Sequence, residues 1–425
     1  MGSLPCYTSS PPPFYSERVN EGEEVLAATR VYQTPTGSFT ARCHCGDLVV
    51  TVKEQNEDIE IPLYHQRGLI LGTISHKDTE NLLQVILKVE GKLKLNIFGK
   101  NSASVSIKLV DESYELWSKK RDGAKCPGAI DFATVLPSTF KEGNTEFPLP
   151  PSHKISLAGL PGLYSECALC TFFQCPVLTF IVGSYAMKVS IFSIPLKYWP
   201  RERPSMPLIS YTGVPPGCEL FRETIKTAPE VWVEKSSTLH TRPSLKLDPI
   251  EVQFFVPSER KFGLSDKIPF HVQLTGSDSS LLKLCSHLLT EQSSSSTALP
   301  MRSRVFNPDS ERFLSLNVTL NRQVCVDIRN QAVWRNFVIG EGQVHPLPPH
   351  FEPDRRTGYL DVVGDIKCSP EVEHGSFDAG KVKDFLLLQI APVKASDNAK
   401  SPFFPIKIAI PISLVSESWS ETVII

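Results

Sequence analysis

Apolar and polar residues alternate with period two in run after run along this chain of 425 residues. Ile406, Ile408, Ile410, Ile412 and Leu414 are interleaved with Lys407, Ala409, Pro411 and Ser413. Leu314, Leu316, Val318 and Leu320 alternate with Ser315, Asn317, Thr319 and Asn321, and Phe270, Val272 and Leu274 with His271, Gln273 and Thr275. Leu93–Ile97 and Val105–Leu109 repeat the pattern. Successive side chains of a strand point to opposite faces, so each run predicts a half-buried strand. Val382–Ile390 contains Leu386, Leu387 and Leu388, apolar on both faces as a central strand would be. Helical spacing is scarce: Leu281, Leu284 and Leu288 predict one short helix or turn, broken by Ser293–Ser296. Many strands bounded by Gly, Pro and Asn, with almost no helix, predict an all-β fold of sandwiches or barrels. At this length two sandwiches are expected rather than one.

Composition marks the joints. There are 35 prolines, a residue that interrupts helices and sits comfortably at strand ends. Residues 1–24 hold Pro11, Pro12 and Pro13 with no periodic apolar row and read as a flexible tail. A first domain is expected over 25–205 and a proline-rich linker over 206–247, in which only Val231–Val233 looks strand-like. A second domain is expected over 248–425, with residues 286–304 as a surface loop. The formal net charge of -2 supplies no global field toward nucleic acid or anionic lipid. Met1–Ser10 lacks the basic and apolar regions of a secretory signal, so a cytoplasmic location with free cysteines is expected. Residues 167–195 are largely apolar but broken by Gln174, Pro176, Gly183 and Lys188, and read as a pair of buried strands rather than a membrane span.

Candidate chemistry adds little. Neither a phosphate loop, a G-x-S-x-G elbow nor an H-E-x-x-H zinc motif occurs. Cys43-His44-Cys45 and Cys167/Cys170/Cys175 offer metal-ligand residue types, but neighbours in a strand point to opposite faces, so both groups are read as structural. Asp47/Glu54 and Asp361/Asp365 are read as solvated loop charge, and Asn317-Val318-Thr319 as plain strand. No cofactor, metal or catalytic residue is expected, and the chain is read as a protein-binding module rather than an enzyme.

One short motif points to a partner. Pro12-Pro13-Phe14-Tyr15 is a P-P-x-Y sequence in the tail. A polyproline II segment is already extended, so it loses little entropy on docking into the aromatic groove of a WW domain, where the tyrosine enters an adjacent pocket.

The joint between the expected domains carries a resemblance. Ile194-Pro195-Leu196-Lys197-Tyr198-Trp199-Pro200-Arg201-Glu202-Arg203-Pro204 resembles the "I-x-x-x-Y-x-P-R-x-R-P" pattern that closes the first domain of fungal (basidiomycete-type) arrestin-like proteins, the arrestin-related trafficking adaptors. Val85–Leu93, Leu136–Phe140, Leu149–Ser152, Phe255–Ser258 and Ile268–Leu274 resemble further family motifs. Arg322–Val324, Ile339–Gly342 and Val382–Phe385 continue them in the family's order, over roughly residues 36 to 416. The resemblance implies two tandem immunoglobulin-like β-sandwiches joined by a hinge near Tyr198, Pro200, Arg201, Arg203 and Pro204, which it assigns a structural role. It also implies a non-catalytic adaptor that uses P-P-x-Y to bring a WW-domain, HECT-type ubiquitin ligase to membrane transporters or receptors for ubiquitylation and endocytosis. The expected partners are that ligase and the cytoplasmic tails of the cargo, with recruitment to the plasma membrane or endosomes through partners alone. A ligase-independent arrestin- or retromer-like scaffold in trafficking or signalling is the alternative.

Overall fold

The alternating runs become long antiparallel strands in the computed structural model, which describes residues 34–43, 48–77, 79–123, 125–181, 184–205, 218–289, 314–346, 350–351, 357–378, 381–393 and 401–419. The first half holds β1 (Gly37–Arg42), β2 (Leu48–Gln55), β3 (Leu63–Tyr64), β4 (Leu69–His76), β5 (Gln84–Phe98) and β6 (Ala103–Ser118). After a single helical turn, α1 (Lys119–Asp122), come β7 (Ala129–Val135), the hairpin β8 (Thr139–Glu142) and β9 (Thr145–Pro148), then β10 (His153–Leu157), β11 (Gly162–Ile181) and β12 (Ser184–Tyr198).

These strands form a four-stranded sheet in the order β1-β2-β4-β7 and a six-stranded sheet in the order β3-β12-β11-β5-β6, with β10 beside β11. Val50, Val52, Ile70 and Ile74 of the first sheet share one buried core with Leu87, Val89, Leu93, Leu169 and Phe173 of the second. Phe132 and Phe173 meet across the gap, with ring centroids 5.4 Å apart. The arrangement is sandwich-like: each strand contributes alternate residues to a layer shared by two sheets.

The second half holds α2 (Cys218–Thr227), β13 (Trp232–Leu239), β14 (Ile250–Pro257), β15 (Lys261–Gly263), β16 (Lys267–Ser277), α3 (Asp278–His287) and β17 (Leu288–Leu289). It continues with β18 (Leu314–Ile328), β19 (Gln331–Pro346), β20 (His350–Phe351), β21 (Thr357–Lys367), β22 (Val382–Pro392) and β23 (Ile406–Val415). The short helix expected near Leu281 and Leu284 is α3, and both leucines are fully buried. Part of the expected linker belongs to this half's sheet, since β13 pairs with β14 from Trp232–Pro257 to Leu239–Ile250. Its apolar ends, Trp232 and Leu239, are buried while Glu234–Ser236 between them are exposed, so alternation is too weak to mark the strand in sequence.

One curled sheet runs β13-β14-β16-β21-β19-β18-β22-β23-β15. The fold-over lies in β19. Its residues Gln331–Glu341 pair with β18, whereas Gly342–Pro346 pair with β21. Close approach at this crossing requires glycine: a Cβ on Gly340 would stand 2.2 Å from the Lys367 carbonyl oxygen, and one on Gly342 2.8 Å from that of Val318. The two arms enclose a second core, with Val252, Phe254, Val272 and Val362 on one side and Val318, Leu386, Leu388 and Ile410 on the other.

The cores are not partitioned by sequence. Val324, Val326, Ile328, Val333 and Val382, from the ends of β18, β19 and β22, are buried in the first core. Thr36–Glu421 form one compact unit. No helix among the described residues is long and apolar enough to cross a membrane.

Candidate functional site

The seam where the second half enters the first core contains the most heavily buried charge. Along β18 the inward row runs Leu314, Leu316, Val318, Leu320, Arg322, Val324, Val326 and Ile328, so an arginine occupies a position that alternation reserves for an apolar side chain. On neighbouring β22 the inward row runs Val382, Asp384, Leu386, Leu388 and Ile390. The two strands pair antiparallel with Arg322 opposite Asp384, so both intruders arrive at one point. Arg322 Nε donates to Asp384 Oδ1 at 2.8 Å and Nη2 to Oδ2 at 2.9 Å. Arg322 is 2% exposed and Asp384 1%, so the bidentate geometry offsets a large desolvation cost.

A loop after β21 completes the cluster. The Ser376 hydroxyl donates to Asp384 Oδ2 at 2.7 Å and accepts from the Leu414 N–H at 2.8 Å, tying the carboxylate to β23. The first half contributes His153 of β10, whose ring packs 4.7 Å from Phe377 and 5.5 Å from His374. Because Pro151 O only accepts, His153 Nδ1 carries the proton and donates to it at 2.9 Å, leaving Nε2 to accept from the Ser165 hydroxyl at 2.8 Å. Burial, with a smaller contribution from the Arg322 charge, lowers the His153 pKa to about 4. The same causes, with His153 itself, bring His374 to about 3. His374 Nδ1 lies 3.3 Å from Arg322 Nη1 and 3.0 Å from the Gly375 carbonyl oxygen. One nitrogen cannot accept from the first and donate to the second, so the tautomer selects one bond; in both, the ring is neutral. The seam therefore holds one buried ion pair among uncharged imidazoles.

A cavity of about 370 Å³ opens beside it, lined by Pro150, Trp199, His374, Phe377, Asp384 and Ser416 among others. Of the residues expected at the joint, Pro200 lines this cavity, between Trp199 and Glu202. Tyr198 is 1% exposed. Its N–H donates to Ser152 Oγ at 2.9 Å and its carbonyl accepts from the Ser152 N–H at 2.9 Å, so the Leu149–Ser152 motif and the joint are neighbours in space. Burial raises the Tyr198 phenol to about 12. The Ser416 hydroxyl donates to Pro200 O at 2.7 Å and accepts from the Glu202 N–H at 2.8 Å. Arg201 stands 3.6 Å from Glu417, Arg203 lies over the Trp419 ring at 5.5 Å, and Pro204 is buried. Pro12, Pro13, Phe14 and Tyr15 lie outside the described residues.

A second buried cluster corrects one sequence reading. Asp361, expected as solvated loop charge, is 3% exposed within β21. His271 Nε2 donates to its Oδ1 at 2.9 Å, Gln273 Nε2 donates to the same oxygen at 3.0 Å, and Arg222 Nη2 donates to Oδ2 at 3.2 Å. Burial pushes the carboxyl up, but these donors outweigh it and hold it below the usual range. Burial pushes His271 down in spite of Asp361, leaving it neutral with a bare, unpartnered Nδ1. Helix α2 covers the pair: Phe221 stacks on His271 at 3.6 Å, and Trp232 Nε1 donates to Thr224 Oγ1 at 2.8 Å.

Of the two cysteine groups singled out in the sequence, His44 and Cys45 lie outside the described residues. Cys167 and Cys175 are buried and pushed up to about 12 by desolvation, far from thiolate character. Among the described residues no group of three or more His, Cys, Asp or Glu could hold a metal ion. The chain matches no family model and no curated protein.

Sequence reasoning passes through Arg322 and Asp384 only as members of short motifs. The signal that finds them is a charge standing in register on an apolar row.

Proposed function

We propose that this chain is a non-catalytic adaptor of two arrestin-type immunoglobulin-like sandwiches hinged near Tyr198–Pro204. On this reading it brings a WW-domain, HECT-type ubiquitin ligase to membrane cargo through Pro12, Pro13 and Tyr15. The observation that carries the reading is the seam: two β-rich halves meet around a buried Arg322–Asp384 pair joined by two hydrogen bonds, beside the joint whose motifs resemble that family. Such a joint suits a protein whose two curved surfaces must be presented to a partner in a set relation.

The test is titration of the full chain with a WW-domain module of a HECT-type ligase, by calorimetry, for the native sequence and for Tyr15→Ala. Micromolar binding abolished by Tyr15→Ala supports the adaptor. Binding that is absent, or indifferent to Tyr15, removes the ligase link and leaves the ligase-independent scaffold.

A further inference from the structure

The apolar stretch of residues 167–195 forms paired strands, yet it is only partly covered. β11 and β12 pair continuously from Leu169–Leu196 to Ile181–Ser184. β5 accompanies β11 only as far as Gln174–Ile86, and beyond that the single bridge Leu82–Val177 remains. The hairpin therefore projects beyond its sheet. On the other side of β12, β3 pairs only with Lys197 and Tyr198. Among the described residues no further strand covers the edge from Ser184 to Leu196.

An edge of this kind presents a row of free N–H and C=O groups, and proteins ordinarily blunt such edges with charges, prolines or bulges. Here the sequence has no carboxylate between Glu166 and Glu202, and Lys188 is the single charge from Ser184 to Leu196. Val189 and Ile191 are 45% and 59% exposed on one face. Pro195 lacks an N–H and sets the natural end of any added pairing.

From this edge we infer that β12 pairs antiparallel, over Ala186–Ile194, with β12 of a second copy of this chain. The strand is self-complementary about a two-fold axis at Ser190. In that register Val189 stands opposite Ile191 of the copy, Ser190 opposite itself and Lys188 opposite Phe192. The two Lys188 positions are then four residues apart along the pair, about 13 Å, so like charges do not meet. An isologous contact of this type closes at two copies. A lipid surface is the poorer occupant, because hydrocarbon leaves the edge N–H and C=O groups unsatisfied.

The experiment is sedimentation velocity of the full chain across micromolar concentrations, for the native sequence and for Ile191→Lys, with thermal melts of both. The expected result is a concentration-dependent dimer that becomes monomeric in Ile191→Lys with an unchanged melting temperature, since Ile191 is exposed. As a check on register, Ser190→Cys under mild oxidation yields a covalent dimer that the native chain, with its other cysteines, does not. A native chain that stays monomeric, or a dimer indifferent to Ile191→Lys, overturns the inference. So does a monomer that co-sediments with phosphatidylserine vesicles through Ile191, which assigns the edge to a membrane.

Discussion

Arg322 and Asp384 stand directly opposite one another on adjacent antiparallel strands and make both guanidinium–carboxylate hydrogen bonds, at 2.8 and 2.9 Å, with almost no access to water. A pair so enclosed is stabilising only while it is complete. Asp384→Ala leaves a buried guanidinium without its counter-ion and is expected to cost about 3–5 kcal/mol in urea unfolding. Replacing both at once, Arg322→Met with Asp384→Leu, removes the charges together and is expected to cost far less. A double variant as unstable as the single one would show that the strands need the ions themselves.

His153 gives the seam a pH dependence of defined sign. Its folded pKa of about 4 lies below the unfolded value of 6.5, so the unfolded chain takes up the proton first as pH falls. The stability held by the neutral ring is complete above pH 6.5 and is lost progressively down to pH 4, about 3 kcal/mol in all. His153→Gln is expected to flatten that part of the curve. The measurement is the difference between native and variant unfolding free energies from pH 7.5 to 4, which cancels the carboxylates common to both.

Gly340 stands where β19 changes partner. Because a Cβ there would sit 2.2 Å from the Lys367 carbonyl oxygen, Gly340→Ala forces the β19–β21 crossing apart. The expected cost is more than 2 kcal/mol, well beyond the roughly 1 kcal/mol span of strand propensity that could act in the opposite direction. Circular dichroism melts distinguish this from an unaffected variant.

Helix α2 is held by a small satellite cluster of Phe221, Trp232 and Phe255 rather than by either main core. Phe221→Ala removes the ring stacked on His271 and is expected to release the helix, at about 3 kcal/mol locally. Hydrogen exchange should then lose protection over residues 218–227 while β18 and β22 keep theirs. Loss of protection in both places would mean that the helix is integral to the second core.

Ser416→Ala tests whether the joint is structural. The hydroxyl joins the Glu202 N–H to the Pro200 carbonyl, and its removal is expected to cost about 1 kcal/mol in a thermal or urea melt.

The strand content was legible because alternation is a local property: the predicted runs each lie within an observed strand, β5, β6, β16, β18 or β23. What was not legible depends on partners distant in sequence. Asp361 looks like a loop charge until His271 and Gln273, nearly ninety residues upstream, are placed beside it. Arg322 and Asp384 were visible as letters in motifs, but an isolated charge in a strand is ordinarily read as facing water. The part of β12 read as buried has Val189 and Ile191 exposed because burial depends on what packs alongside, and there β11 flanks one edge while no further described strand covers the other.

The first core borrows Val324, Val326, Ile328, Val333 and Val382 from strands that are synthesised long after β12. At translation rates of about 5–20 residues per second, the first half emerges on the order of ten seconds before those residues exist. For that interval its apolar surface stands uncovered. The chain's hazard during birth is therefore greatest midway through synthesis, and a stall between residues 205 and 324 would leave a sticky half-molecule rather than a finished domain.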